Sequence, residues 1–151
     1  MSISVGINGF GRIGRSTFSH ISESARNDIH VTKINATGPI ETSAHLLKYD
    51  SVHGRFSGEI TVENDHLDVG NGPVKVFSSY DPNDLDWSGC DVVLECTGKF
   101  NDGIKSKVHI QQGAKSVLIS APADNVDKTI IYGVNHCLLY TSDAADDSLR
   151  V

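Results

Sequence analysis

The fold of this chain is decided near its amino terminus by the stretch Ser4-Val5-Gly6-Ile7-Asn8-Gly9-Phe10-Gly11-Arg12-Ile13-Gly14-Arg15. An apolar run at residues 3–7 ends in three glycines spaced G-x-G-x-x-G, and residues 16–24 suit a helix. At a strand-to-helix turn, this spacing permits a tight turn, close approach of the backbone to a pyrophosphate, and packing of the helix on its strand. The glycines alone would also fit an ordinary strand–helix turn, so the rest of the sequence has to distinguish the two interpretations.

The segments that follow complete the β-α-β pattern that the glycine motif requires. In chain order, the sequence predicts a strand at 29–34, a helix at 40–49, short strands at 58–63, 66–69 and 74–77, a buried strand at 91–95, a helix at 104–112, and strands at 116–120 and 129–134. The short strands indicate an antiparallel insertion. The alternation of strands and helices predicts an α/β fold of Rossmann type, with a doubly wound, mainly parallel sheet and an antiparallel hairpin insertion.

Length and composition limit the possible function classes. The chain has 151 residues, of which 38% are hydrophobic and 21% charged, as expected for one globular domain. A net charge of −6 argues against nucleic acid as the main partner, and no apolar run approaches the roughly 18 residues of a membrane span. Because a signal peptide is also missing, a cytoplasmic protein is expected. Cys90, Cys96 and Cys137 are scattered without a C-x-x-C pair, which predicts reduced thiols and no metal site.

Small or polar residues follow four of the predicted parallel strands. These are Asn8-Gly9, Asn35-Ala36, Thr97-Gly98 and Ser120-Ala121. In an open parallel sheet, ligands bind at the carboxyl ends of the strands, where the strand order reverses. Four such strand ends favour a dinucleotide-binding crevice over a purely structural turn.

Six segments of the chain are collinear with those of one known family. They are Ile7-Asn8-Gly9-Phe10-Gly11-Arg12-Ile13-Gly14-Arg15, Leu47-Lys48-Tyr49-Asp50-Ser51-Val52-His53-Gly54, Glu95-Cys96-Thr97-Gly98-Lys99-Phe100, Gly113-Ala114-Lys115, Ile119-Ser120-Ala121-Pro122 and Gly133-Val134-Asn135-His136. From about residue 3 to residue 136, the chain resembles the phosphorylating glyceraldehyde-3-phosphate dehydrogenases, and most of all the bacterial ones.

The resemblance implies a dinucleotide-binding domain at residues 1–136, with NAD or NADP as its cofactor and a homotetrameric full-length enzyme. The backbone from Gly9 to Ile13 would hold the pyrophosphate, and Asn35 would lie near the adenosine ribose. The cofactor-binding residues that it implies are Asn8, Gly9, Phe10, Gly11, Arg12, Ile13, Gly14, Asn35, Ala36, Thr97, Gly98, Phe100, Ser120 and Ala121. Ser120 could equally be a strand-end hydroxyl bonded to its own backbone.

Two departures from the family pattern bear on the cofactor. Ala36 stands where NAD-dependent members usually have an aspartate, whose carboxylate accepts hydrogen bonds from the ribose and repels a 2′-phosphate. With Lys33 or Thr37 close by to assist a phosphate, NADP use or dual specificity becomes a hypothesis. Ser79-Tyr80 replaces a frequent Glu-Arg pair, which puts the contacts to the edge of the adenine in question.

Several other polar residues are assigned no chemistry. Asp50, Ser51 and His53 are too close in sequence to form a catalytic triad, because adjacent side chains point in different directions. Cys96 is interpreted as a small residue at the end of a buried strand. The remaining histidines are predicted at the surface or on helix faces: His20, His30, His45, His66 and His109.

The resemblance ends after His136. Residues 137–151 are expected to be an unrelated tail, similar to a translated sequencing adapter, and they supply −2 of the net charge. The family's catalytic cysteine, its activating histidine and its substrate-phosphate site would lie beyond this point. No catalytic residue is therefore predicted in this chain, which is expected to be inactive alone.

The resemblance implies that the parent enzyme oxidises an aldehyde through a covalent thioester, passes hydride to the cofactor and releases an acyl phosphate. A relative that acts on erythrose 4-phosphate is the alternative enzyme. A stand-alone nucleotide-binding module is the alternative outside catalysis.

Overall fold

The computed structural model describes residues 1–139 of the chain, which form an α/β arrangement of strands and helices. The strands are β1 (Ile3–Asn8), β2 (Ile29–Asn35), β3 (Tyr49–Asp50), β4 (Gly54–Arg55), β5 (Thr61–Glu63), β6 (His66–Asp68), β7 (Val74–Phe77), β8 (Val92–Glu95) and β9 (Ser116–Ile119). The helices are α1 (Arg12–Glu23), α2 (Ile40–Lys48) and α3 (Gly103–Gln111), with 3-10 turns at Pro82–Asp84 and His136–Leu139.

The main sheet has the strand order β5-β6-β7-β2-β1-β8-β9. The five strands from β7 to β9 in this order are parallel to their neighbours, whereas β5 and β6 add an antiparallel hairpin on the β7 side. The chain moves outward from β1 to β2 and β7, and then crosses back to β8 on the other side of β1. The predicted fold class is confirmed, and the strand order reverses between β1 and β8, where such sheets bind ligands.

The register aligns the polar strand ends. Asn8, the last residue of β1, pairs with Asn35 on one side and with Glu95 on the other. Asn35 in turn pairs with Phe77, the last residue of β7. Four neighbouring strands therefore end at the same level, and the loops that follow them meet at one edge of the sheet.

Helices cover both faces of the sheet. On one face, Val5 and Ile7 belong to an apolar cluster that includes Phe18 of α1 and Leu47 of α2. Val93 lies in a second cluster with Trp87, which contacts α3 through its indole. Because helices cover both faces of the sheet, β1 and β8 are buried on both sides, which explains their nearly continuous apolar sequences.

The predicted element boundaries differ from the structure by up to four residues, with one larger exception. The strand predicted at 129–134 is wrong, since this segment forms turns. The Asn135 side chain accepts a hydrogen bond from Ile131 N and donates one to Thr129 O, so a local turn uses backbone groups that a strand would need. Among residues 1–139, no helix is long and apolar enough to cross a membrane.

Candidate functional site

The carboxyl ends of β7, β2, β1 and β8 border a cleft of about 340 Å³. The cleft is lined by these predicted cofactor-binding residues: Asn8, Gly9, Phe10, Gly11, Asn35, Ala36, Thr97 and Phe100. The other predicted residues lie outside its lining: Arg12, Ile13, Gly14, Gly98, Ser120 and Ala121. Arg12 and Ile13 are exposed in the first turn of α1, directly after Gly11.

The glycine loop is shaped by close contacts at two of its three glycines. Gly9 has φ +96°, and a Cβ there would lie 2.8 Å from Thr97 N. A Cβ at Gly14 would lie 2.2 Å from the carbonyl oxygen of Gly9, so α1 packs directly on the turn. Arg15 Nη1 donates to Phe10 O at 2.9 Å and holds the loop against the helix.

Gly11 is the glycine that faces open space. A Cβ at this position would meet nothing within 4 Å, and Gly11 lines the cleft as the residue before α1. No side chain caps the start of this helix. The first-turn N–H groups of a helix are anion donors, so the loop fits a phosphate group.

Two asparagines connect the strand ends beneath the cleft. Asn35 Nδ2 donates to Asn8 Oδ1 at 2.8 Å and to Ser79 O at 2.9 Å. Ser79 N donates back to Asn35 Oδ1 at 3.0 Å. The segment after β7 is therefore held to the end of β2 through the backbone of Ser79, a contact that does not depend on the side chain at that position.

Glu95 is buried at the reversal of strand order, with 1% of its surface exposed. Its Oε2 accepts from Asn8 Nδ2 at 2.6 Å and lies 2.7 Å from His109 Nε2. Its Oε1 accepts from the backbone and side chain of Thr97. Burial raises the pKa of this carboxyl, but these hydrogen bonds together outweigh burial and lower it below its ordinary value of 4.5. The carboxylate ties the turn after β1 to the turn after β8.

His109 lies on α3, as one of the two predicted alternatives allowed, but its side chain is fully buried and not at the surface. The Trp87 indole Nε1 donates to His109 Nδ1 at 3.1 Å. Nδ1 must therefore be unprotonated, and the ring proton lies on Nε2, which faces Glu95. The need of the buried indole for a hydrogen-bond acceptor was a signal for this placement, but only the sheet order brings Glu95 to the same point.

Sequence reasoning missed the contribution of α2 to the cleft. Thr42, Ser43 and Leu46 line it from one face of this helix, and Leu46 is 42% exposed. The i, i+3, i+4 spacing after the Gly38-Pro39 turn was the available signal. Thr37 and Gly38 line the cleft as well.

Lys33 does not reach the cleft, which corrects its suggested role beside a phosphate. Its ammonium donates to the backbone and carboxylate oxygens of Asp86 at 2.9 and 3.0 Å, and to Ser88 O at 2.9 Å. Of the described residues that line the cleft, Lys99 alone carries a formal charge.

Ser120 and Ala121 border a neighbouring groove of about 430 Å³ beyond β9. Ser120 also hydrogen-bonds the thiol of Cys96, which lines the cleft itself. Burial raises the pKa of the Cys96 thiol, with the Ser120 hydrogen bond acting in the opposite direction. Ser120 therefore contacts a residue of the cleft wall without lining the main cleft itself.

The remaining predictions are that Asp50, Ser51 and His53 form no catalytic triad and that the chain has no metal site. Asp50 Oδ1 accepts the backbone N–H groups of Val52 and His53, the geometry of a turn. No group of three or more His, Cys, Asp or Glu in the described part of the chain is arranged to hold a metal ion. Residues 140–151 of the predicted tail lie outside the described residues, and the proposed boundary after His136 stays a prediction.

A parallel sheet whose glycine loop opens onto a cleft at the reversal of strand order defines a Rossmann-type dinucleotide-binding domain. Residues 3–103 match the family described as glyceraldehyde 3-phosphate dehydrogenase, NAD binding domain. The chain belongs to the glyceraldehyde-3-phosphate dehydrogenase family.

Curated relatives agree with this assignment. The chain is 53% identical over 143 residues to glyceraldehyde-3-phosphate dehydrogenase of Cereibacter sphaeroides, covering 95% of this chain and 43% of that protein. It is 54% identical over 138 residues to the Xanthobacter flavus protein of the same name, covering 90% of this chain and 41% of the relative. The chain thus spans about two fifths of the length of these relatives.

Proposed function

We propose that this chain binds a nicotinamide adenine dinucleotide in the cleft, with the pyrophosphate on the backbone between Gly9 and Ile13. The observation that carries the proposal is the open space beside Gly11 at the uncapped start of α1. Backbone N–H groups and the positive end of the helix dipole favour an anion there. Arg12 would contribute its backbone N–H to this site. Gly14 would contribute indirectly, because the absence of a Cβ permits α1 to approach the glycine loop.

The adenosine end of the ligand is proposed to lie over β2, beside Asn35 and Ala36. Thr97, Gly98 and Phe100 would follow the ligand along the end of β8. Ser120 and Ala121 would meet it only at its far end, since they line the neighbouring groove and not the main cleft. Asn8 supports the loop from below through its bonds to Asn35 and Glu95.

Both NAD and NADP are proposed as ligands. The family description supports NAD. The proposal of NADP rests on Ala36, which is buried at the cleft wall and offers no carboxylate to repel a 2′-phosphate.

For the longer protein, we propose the oxidation of glyceraldehyde 3-phosphate to an acyl phosphate in the cytoplasm, as a homotetramer. The bound cofactor would accept hydride, and this domain would hold its nicotinamide ring in position for the transfer. The 151-residue chain is proposed to supply only the binding half and to have no turnover alone. Measurable dehydrogenase activity of the purified chain would overturn this part of the proposal.

Dinucleotide binding can be measured on the chain as it stands. Trp87 is its one tryptophan, and its indole contacts His109 in the network below the cleft, so its fluorescence can follow titration with NAD or NADP. Isothermal calorimetry gives an independent Kd.

The matched variant is Gly11→Val, which fills the open space without a clash inside the protein. We expect the Kd to rise about tenfold or more, as for loss of one charge-assisted hydrogen bond, with an unchanged far-ultraviolet spectrum. Equal affinity of the parent chain and this variant would contradict the proposed position of the pyrophosphate.

A further inference from the structure

The charge of the cleft is concentrated in one side chain. Of the described residues lining it, Lys99 is the one with a formal charge, and none of them is acidic. Glu95 lies below the cleft floor with both its oxygens already hydrogen-bonded. An anionic group that enters the cleft therefore meets one ammonium and no exposed carboxylate.

The ammonium of Lys99 lies 5.6 Å from the centre of the Tyr80 ring, within the range of a cation–π contact. Lys99 makes no ion pair with any residue of the described part of the chain. Tyr80 is 77% exposed, so both partners remain accessible to solvent and to a ligand.

This contact spans the mouth of the cleft. Lys99 follows β8 and Tyr80 follows β7, and the strand order places β1 and β2 between them. The Tyr80 side is fixed to the end of β2, because the preceding residue, Ser79, donates its N–H to Asn35. The Lys99 ammonium therefore lies beside an aromatic ring whose backbone is anchored to the strand end that carries Asn35 and Ala36.

The other cation near β2 is already engaged. Lys33 donates to oxygens of Asp86 and Ser88, away from the cleft. The wall at Ala36 is apolar and adjoins Thr37 and Gly38. A phosphate at the ribose end would thus find a hydroxyl, backbone N–H groups and Lys99.

We propose that Lys99, held across the cleft by Tyr80, is the residue that accepts a phosphate on the 2′ position of an adenosine ligand. Lys99 would then determine how strongly the chain prefers NADP over NAD. This inference rests on the proposed function, since it assumes that the adenosine lies over β2.

The probes that isolate the 2′-phosphate are 2′,5′-ADP and 5′-AMP, titrated by calorimetry into the 151-residue chain. For Lys99→Met, we expect the Kd of 2′,5′-ADP to rise about tenfold and that of 5′-AMP to change less than about twofold, since one charge-assisted contact is lost. Lys99→Arg should retain most of the binding. The salt dependence of 2′,5′-ADP binding should weaken in the methionine variant.

Two further variants complete the test. Lys107→Met removes the same charge from an exposed position of α3 outside the cleft and should leave both affinities unchanged. Tyr80→Ala should weaken 2′,5′-ADP binding by a smaller factor than Lys99→Met, because it loosens the ammonium without removing it.

Failure of this inference can be told apart from failure of the proposed function. Equal weakening of the binding of 2′,5′-ADP and 5′-AMP by Lys99→Met would place the ammonium at the common 5′-phosphate and overturn the inference alone. Binding that no Lys99 variant changes would overturn it as well. If the parent chain binds neither probe nor NAD, the proposed function itself fails.

Discussion

The carboxylate of Glu95 and the imidazole of His109 lie 2.7 Å apart, and neither side chain is accessible to solvent. Because Trp87 donates to the opposite ring nitrogen, the imidazole is neutral and the pair consists of one buried anion and a hydrogen-bond donor. Thr97 and Asn8 supply the other donors. The loops at the reversal of strand order are therefore held together by a single carboxylate.

Replacing this carboxylate by an amide should destabilise the fold. In Glu95→Gln, the amide group would face donors from Asn8, His109 and Thr97, so at least one buried donor would lose its acceptor. We expect the free energy of unfolding to fall by about 2–4 kcal/mol, the cost of breaking hydrogen bonds to a buried charge. Urea unfolding measures this, with Glu59→Gln as an exposed control. A change below about 0.5 kcal/mol would contradict the assigned network.

The pH dependence of stability follows from the same group. The pKa of Glu95 in the folded chain is lower than its ordinary value of 4.5. The ionised carboxylate therefore contributes fully to the free energy of unfolding above the pKa of the unfolded state, and this contribution is lost as the pH falls through the pKa of the folded state. The difference in unfolding free energy between the parent chain and Glu95→Gln should be constant above about pH 6 and should shrink below about pH 4.5. A difference that grows on acidification would disprove this assignment.

Gly11 and Gly14 should differ in their response to replacement by alanine. An alanine inside a helix normally adds up to about 1 kcal/mol relative to glycine. In Gly14→Ala, however, the new Cβ would lie 2.2 Å from Gly9 O, and overpacking should reduce stability by about 1–3 kcal/mol. Gly11→Ala has open space and should change stability by less than about 1 kcal/mol. Thermal unfolding of the two variants decides this, and a stabilised Gly14→Ala would refute the close contact.

The thiols should differ in reactivity, and Cys96 should report on ligand binding. Cys137 is exposed, whereas Cys96 is half-buried and its pKa is raised by burial. Iodoacetamide at neutral pH should therefore modify Cys137 first, since the thiolate is the reactive form. NAD should further slow the modification of Cys96, which lines the cleft. Peptide mass spectrometry measures both rates, and a Cys96 rate that saturating NAD leaves unchanged would argue against binding in this cleft.

Much of the fold could be predicted because its signals are local. The glycine spacing predicted the turn before α1, and the apolar runs predicted β1, β2, β8 and β9 within a few residues. The prediction of a strand at 129–134 was wrong because the Asn135 side chain forms hydrogen bonds with the backbone of this segment and stabilises a turn there. Hydrophobic periodicity indicates which side chains are buried, but it does not reveal a hydrogen bond between a side chain and the backbone near it.

The site was predictable in outline only. Residues next to strand ends, such as Asn8, Asn35 and Thr97, line or underlie the cleft because parallel strands end at a common edge. The roles of Lys33 and His109 were not predictable, since each depends on a partner that is distant in sequence. Asp86 and Ser88 hold the ammonium of Lys33 away from the cleft, and Glu95 holds the imidazole of His109 in the interior.

The sequence by itself determined the class of fold, the glycine turn before α1 and the family, because glycine positions and hydrophobic periodicity act over a few residues of chain. Only the tertiary structure decided which partners the charged side chains contact. The strand order places β1 and β2 between the ends of β7 and β8, so that Lys99 extends across the cleft to Tyr80. The register sets Glu95 beside Asn8, where the same carboxylate meets α3. These partners are fixed by the packing of distant segments, which no local pattern of residues specifies.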